Sequence, residues 1–294
     1  LRPGPSGIAL SLAWACATGI FLTYVVMHNV DHDRPLSAFL PTMLAEVRSY
    51  IRQACKEATL FYFNGFVWTY DPRLRGDKTV PLITYAVQDN AIEKIEASII
   101  YGRDLTIEKS RDQGASVICT GVFEKRWHFW PNESFLCISR DENEVDKAGY
   151  PGCLFWKIDF IHKHLPPWLM PRWYTKEFRR RFVFENPETG STINGEATVG
   201  AAGVGDRKTA ILVDEFSRID FADEIELGTA DTSPCRIFNF TAYGEGNAAD
   251  RMRRDSTRRK IKMKWSGDPR KNKKLYQWSA DEQRFKYYRF DETI

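Results

Sequence analysis

Apolar residues follow two patterns along this chain. In some stretches they recur every three or four positions, and in others they run unbroken for four or five. "LAEVRSYIRQACKEATLFYF" (44–63) and "YAVQDNAIEKIEASIIYG" (85–102) show the first pattern and predict helices, the second stopped by Gly102. "ASVICTGVFEKRWHFW" (115–130), closed by Pro131, and "CLFWKIDFIHKHL" (153–165), closed by Pro166-Pro167, predict two more. "LTIEKS" (105–110), "SFLCIS" (134–139), "KTAILVDEF" (208–216) and "CRIFNFTAYG" (235–244) are compact apolar runs and predict strands. "RRFVFENPETGSTINGEA" (180–197) reads as a hairpin turning at "NPETG". "NGFVWTYDPRLRGDKTVPL" (64–82), rich in turn formers, reads as a loop crossing the surface.

Strands alternate with helices, and the strands are continuous rather than alternating apolar runs. Buried parallel strands have this signature, because helices cover both faces of the sheet. The expected fold class is α/β, with a mainly parallel central sheet flanked by helices. In such sheets ligands collect at the carboxyl ends of the strands. Those ends here carry "EKSRDQGAS", "SRDE", "DEF" and "TAYGEGN".

Composition permits such a core. The chain has 294 residues, 43% of them hydrophobic and 28% charged, which excludes global disorder. Six cysteines without a C-x-x-C pair fit reduced, buried thiols rather than a zinc site. The net charge is only +3, yet twelve Lys or Arg stand against two Asp between Arg251 and Lys274. That stretch suits either a polyanion partner or a solvated basic face. Arg179, Arg180 and Arg181 read as a solvated strand edge, and His162 and His164 as helix-surface residues. From Pro3 to Val30 no residue carries a formal charge with His28 neutral, and 8–27 is long enough to span a bilayer. A membrane anchor and an extension outside the native protein, with a start at Met27 or Met43, are both open readings of that segment.

The strand ends carry candidate chemistry. "AILVDEF" has the pattern of a Walker B strand: Asp214 would hold Mg²⁺, and Glu215 would orient and polarise an attacking water. "KSRDQGAS" (109–116) has the parts of a phosphate-binding loop. These are a turn-forming Gly114, a helix start at Ala115 and a hydroxyl at Ser116 for Mg²⁺. The usual lysine after the glycine is absent, and Lys109 on the entering arm is the expected replacement, with Arg111 as a second donor. The candidate nucleotide contacts are therefore Lys109, Ser110, Arg111, Asp112, Gln113, Gly114, Ala115 and Ser116. The order of the motifs is that of a P-loop NTPase core of the additional-strand type, with an extra strand between loop and acidic pair.

At these residues the chain resembles the large terminase subunits of tailed bacteriophages, over roughly residues 45–280. "IEKSRDQGAS", "LFWKIDFIHKHLPPWL", "GSTINGEATVGAAGVGDRKTAILVDEF" and "FTAYGEGN" carry the resemblance. It implies an ATPase motor that drives double-stranded viral DNA into a procapsid, with ATP and Mg²⁺ as cofactors. The implied partners are DNA, a homo-oligomeric ring on a portal protein and a small terminase subunit, in the cytoplasm of an infected bacterial host. By resemblance Gln88 recognises adenine and Thr241 couples the γ-phosphate to movement. Arg140 is the first choice for an arginine finger and Arg111 the second, while Arg258, Arg259 and Lys260 are candidate DNA contacts. The expected organisation is an apolar extension (1–44), a motor domain (45–265) and the start of a linker (266–294), without nuclease activity. A helicase-like translocase of the same core and a membrane-anchored nucleic-acid-binding protein are the alternatives.

Overall fold

Residues 40–198, 203, 205–271, 276–279 and 284–287 are described by the structure, a computed structural model. The apolar segment 8–27, Cys16 and Met27 lie outside the described residues. Among the described residues no helix is long and apolar enough to cross a membrane.

The helices are α1 (Leu40–Glu57), α2 (Thr59–Phe66), α3 (Ala86–Ile100), α4 (Ala115–Phe129), α5 (Glu142–Val145), α6 (Leu154–His164), α7 (Ala222–Gly228) and α8 (Ala248–Arg254). Eight strands form the main sheet: β3 (Leu105–Lys109), β4 (Ser134–Ser139), β5 (Arg179–Arg180), β6 (Val183–Glu185), β7 (Thr192–Ala197), β8 (Ala210–Asp214), β9 (Arg236–Phe240) and β10 (Lys260–Met263). Two small antiparallel pairs complete the described strands, β1 (Trp68–Tyr70) with β2 (Thr79–Pro81) and β11 (Tyr276–Ser279) with β12 (Arg284–Tyr287).

The sheet order is β10-β3-β9-β8-β4-β7-β6-β5. Every pair from β10 to β7 is parallel, and β6 and β5 add antiparallel at one edge. Successive residues of each central strand face opposite sides. Phe135, Cys137, Leu212 and Ile237 pack on one side with α2, α3, α4 and α6. Leu136, Ile138, Ile211, Val213 and Phe238 pack on the other with α7 and α8. Covering both faces removes water from the strands, which is why they read as unbroken apolar runs.

The hairpin over 180–197 forms as expected, with Val183 opposite Asn194. Cys55, Cys119, Cys137, Cys153 and Cys235 are buried and unpaired. Three expectations are corrected. The helix over 44–63 breaks at Ala58, whose extended backbone starts α2. The loop over 64–82 contains the β1–β2 pair. The basic stretch contains α8 and an edge strand, β10, whose alternating apolar residues Ile261 and Met263 are buried against the sheet.

Two surface assignments also fail, because buried carboxylates recruit the groups. His162 has a side chain only 7% exposed and donates from Nε2 to Glu124 at 3.2 Å. Glu124, on α4, also accepts from Tyr62 Oη at 2.6 Å and His128 Nδ1 at 3.1 Å. Burial alone pushes this carboxyl up, but the bonds from His128 and His162 outweigh it and hold it at about 2. Arg179 is not solvated either, since its guanidinium joins Asp146 (2.8 Å) to Asp159 (2.9 Å).

Candidate nucleotide site

The parallel sheet brings the ends of β3, β9 and β8 side by side. In register, Ile107 of β3 faces Asn239 of β9, and Asn239 in turn faces Asp214 of β8. Residues from positions 109 to 241 therefore meet at one edge. Lys109 Nζ donates to Glu215 Oε1 at 3.2 Å and to Thr241 Oγ1 at 3.3 Å. Its side chain is 9% exposed. Glu215 follows directly after β8 in the left-handed region, at φ 52°, a cost for a non-glycine residue that commonly marks a functional position.

The loop between β3 and α4 makes a tight turn with Asp112 at φ 56° and Gly114 at φ 73°. At Gly114 a Cβ would also stand 3.0 Å from Gln88 Nε2, so glycine is required twice over. The first-turn N–H groups of α4 have no intrahelical acceptor and give this end of the helix its positive character. Ala115, at the position where a lysine would be usual, is 2% exposed and packs in the core. A long side chain at that position would have to displace core neighbours.

Asp214 is 5% exposed. Burial raises its carboxyl above the usual range, Glu215 pushes in the same direction, and Lys109 pulls it back. Asn239 Nδ2 donates to Asp214 Oδ1 at 2.5 Å and lies 3.5 Å from Ser116 Oγ. Asn239 was missed by sequence reasoning, although a polar residue inside the apolar run "CRIFNF" was the available signal. A carboxylate and a hydroxyl side by side are hard oxygen donors. They fit Mg²⁺, which commonly takes one or two protein oxygens and completes its shell with water and phosphate.

The other expected residues fall into three places. Gln88, Ser110, Gln113 and Asp112 shape the loop: Gln88 Nε2 donates to Gln113 O at 3.1 Å, and Ser110 Oγ accepts from Trp265 N at 3.1 Å. Both amide atoms of the buried Gln113 side chain lack a hydrogen-bond partner among the described residues. A strap after β10, also missed from sequence, grips the loop from outside. Arg270 Nη2 donates to Asp112 O at 3.1 Å, and Lys271 Nζ donates to Arg111 O. The Arg111 residue is exposed at the crest. Arg140 sits at the rim after β4, bound to Glu144 at 3.1 Å, in a polar cavity of about 450 Å³ shared with Arg218 and Asp220. Arg258, Arg259 and Lys260 lie at the opposite, amino-terminal end of the parallel strands. There Arg258 pairs with Glu226 and with Asp255 (3.4 Å), Lys260 Nζ donates to Arg253 O at 2.8 Å, and Arg259 is exposed.

The chain is thus an α/β protein with a mostly parallel sheet and a polar cluster on three adjacent strand ends. It is similar in structure to the HK97 bacteriophage large terminase, at 12% sequence identity and a TM-score of 0.49. The match covers 71% of this chain and 43% of that one. No protein-family model matches the sequence, and no curated protein matches it.

Proposed function

We propose that the cluster is a nucleoside-triphosphate site and that the chain is the ATPase portion of a DNA-packaging motor of the large-terminase kind. The observation that carries the reading is the convergence of Lys109, Glu215 and Thr241 within 3.3 Å contacts, with β9 inserted between the loop strand and the acidic strand. The sequence resemblance supplies the motor and its substrate.

In this reading the α4 N-terminus and Lys109 bind the β- and γ-phosphates. Ser116 and Asp214 would hold Mg²⁺, kept adjacent by Asn239; the ion would neutralise phosphate charge when bound. Glu215 orients a water for attack on the γ-phosphorus, breaking the bond to the β-phosphate oxygen and releasing ADP and phosphate. Positioning and charge stabilisation carry most of such a reaction. Thr241, sharing Lys109 with Glu215, senses whether the γ-phosphate is present. Gln88 braces the loop beside the base, and Arg140 is the candidate finger at a subunit boundary. Arg258, Arg259 and Lys260 are candidate DNA contacts on the far end of the sheet. The remaining partners are a portal-bound ring of copies and a small terminase subunit.

The test is phosphate release by the purified chain with Mg²⁺ and ATP, beside equilibrium ATP binding. Turnover that disappears in Glu215→Gln while binding persists supports the reading. A wild-type chain that neither binds nor hydrolyses ATP would refute it.

A further inference from the structure

Three consecutive carbonyls of the loop between β3 and α4 are each held by a side chain from outside the loop. Lys271 Nζ donates to Arg111 O, Arg270 Nη2 to Asp112 O at 3.1 Å, and Gln88 Nε2 to Gln113 O at 3.1 Å. The peptide bonds of the loop are trans, and in a planar trans peptide the C=O and the following N–H point in opposite directions. Fixing the three carbonyls therefore also fixes the N–H groups of Asp112, Gln113 and Gly114, each turned away from the side chain that holds its peptide. Among the described residues the N–H groups of Asp112 and Gly114 have no acceptor. Asp112 and Gly114 are also left-handed, at φ 56° and 73°. Backbone N–H groups gathered around such residues form a concavity that suits an anion.

The strap that supplies Arg270 and Lys271 is itself anchored. Asp268 has a fully buried side chain, and its carboxylate accepts Arg270 Nε at 3.0 Å and Nη2 at 2.8 Å as a two-point fork. Arg270 N donates to the same carboxylate at 2.9 Å, and Nη2 also lies 3.2 Å from Tyr85 Oη at the start of α3. Lys271 N donates to Asp268 O at 2.9 Å. The strap and the loop are tied at their beginnings as well: Ser110 N donates to Met263 O at 2.9 Å, and Trp265 N donates to Ser110 Oγ at 3.1 Å. The guanidinium is thus fixed in front of Asp112 O. The Arg270 side chain is 45% exposed and that of Lys271 24%. Neither fills the core, so what they contribute is the bonds they make to the loop.

We propose that Arg270 and Lys271 are positioning residues of the phosphate loop: they hold the Arg111 and Asp112 carbonyls toward the strap and so preset the loop N–H groups for the phosphates of a nucleotide. The proposal rests on the nucleotide reading above and adds two residues that lie outside the loop itself. The test uses the full chain as wild type, Arg270→Ala, Lys271→Ala, the double variant and Arg270→Lys. Calorimetry measures Mg-ATP and inorganic tripolyphosphate binding at low and high salt, and thermal melts verify folding. The double variant should lose affinity for both ligands by the same factor, roughly tenfold, and each single change should lose less. Arg270→Lys should bind better than Arg270→Ala, because it keeps a donor for Asp112 O. The ratio to wild type should persist in high salt, which screens the through-space attraction of exposed cations. Unchanged affinities in the folded double variant overturn the proposal. So does a loss for ATP without one for tripolyphosphate, which places the strap at the base or ribose, and so does a loss that salt abolishes, which is charge alone. If the double variant does not fold, the single variants decide by the same criteria, and failure of both to fold assigns the strap to structure and overturns the proposal. A wild-type chain that binds neither ligand overturns the nucleotide reading and this proposal together, whereas variants equal to a wild type that binds overturn this proposal alone.

Discussion

Replacing Lys109 with Met removes its charge and leaves most of its length. The stem is buried, so a shorter replacement such as alanine would confuse lost packing, about 0.8 kcal/mol per methylene, with lost chemistry. The two contacts to be lost, 3.2 and 3.3 Å, are at the long end for hydrogen bonds. Glu215 is 31% exposed, so their share of fold stability is small, about 1 kcal/mol. The effect on ligand binding is larger. A hydrogen bond to a charged partner contributes about 1.5–3 kcal/mol, so one lost ammonium–phosphate bond weakens ATP binding roughly 10- to 100-fold. Turnover should fall further, because Glu215 loses the group that holds its carboxylate, and a mispositioned base costs on the order of 10²-fold.

Arg111→Ala should change both quantities much less, since that side chain is exposed at the crest of the loop. The combination Lys109→Met with Ala115→Lys should not recover binding, because position 115 is 2% exposed in the core. The assay is a titration with a fluorescent ATP analogue, followed by single-turnover phosphate release. If Lys109→Met binds ATP within twofold and hydrolyses it normally, the loop is an ordinary strand-to-helix turn; if Arg111→Ala is the more damaging change, Arg111 rather than Lys109 supplies the cation.

Asn239→Leu should lower Mg²⁺ affinity in the presence of ATP by about tenfold, as for other groups that orient metal ligands; an unchanged Mg²⁺ titration would remove its positioning role. Replacing Arg258, Arg259 and Lys260 by Ala should flatten the salt dependence of DNA binding by roughly one unit of slope rather than three, because among the described residues the side chains of Arg258 and Lys260 are already engaged while that of Arg259 is exposed. Gly121→Ala should destabilise by roughly 1–3 kcal/mol, since its Cβ would stand 2.8 Å from the Phe63 ring, and chemical denaturation reads this directly. Glu124, held at about 2, contributes stability that is complete above the ordinary carboxyl value of 4.5 and is lost as pH falls through about 2. Glu124→Gln should therefore flatten the acid limb of a melting-temperature profile, with a loss near neutrality of roughly 3 kcal/mol.

Much of the sheet was legible because its strands are buried on both faces and their ends change abruptly from apolar to polar. "AILVDEF" places Asp214 at a strand end on pattern alone, and "LTIEKS" does the same for Lys109. Partnership between charges was not legible. Arg258 and Arg179 read as free cations because Glu226 and Asp146, one partner of each, are 32 and 33 residues away in the chain. His162 read as a surface residue because the carboxylate that buries it lies on α4, 38 residues earlier. The strand β10 was hidden for a related reason: its buried residues Ile261 and Met263 alternate with lysines, and the surrounding basic residues masked a period of two.

The same topology explains why the loop strand and the acidic strand are joined through a third. Without β9 between them, Asp214 would have no Asn239 beside it and Lys109 no Thr241. Ser217 Oγ donates to Thr241 O at 2.7 Å, and Arg218 covers the ring of the exposed Tyr243 at 4.9 Å. The short helical turn after Glu215 is therefore fastened at two points to the segment after β9. The turn that holds Glu215 in its left-handed backbone position is thus tied to Thr241 through the Ser217 hydrogen bond. Beyond Thr241 the chain bends at Gly244 and Gly246, with φ of 70° and 77°, left-handed positions that glycine takes at little cost. On the proposed reading, a displacement at the Nζ end of Lys109 would pass through Thr241 toward this exposed aromatic loop. In the proposed motor, this loop is where loss of the γ-phosphate would first alter the outer surface.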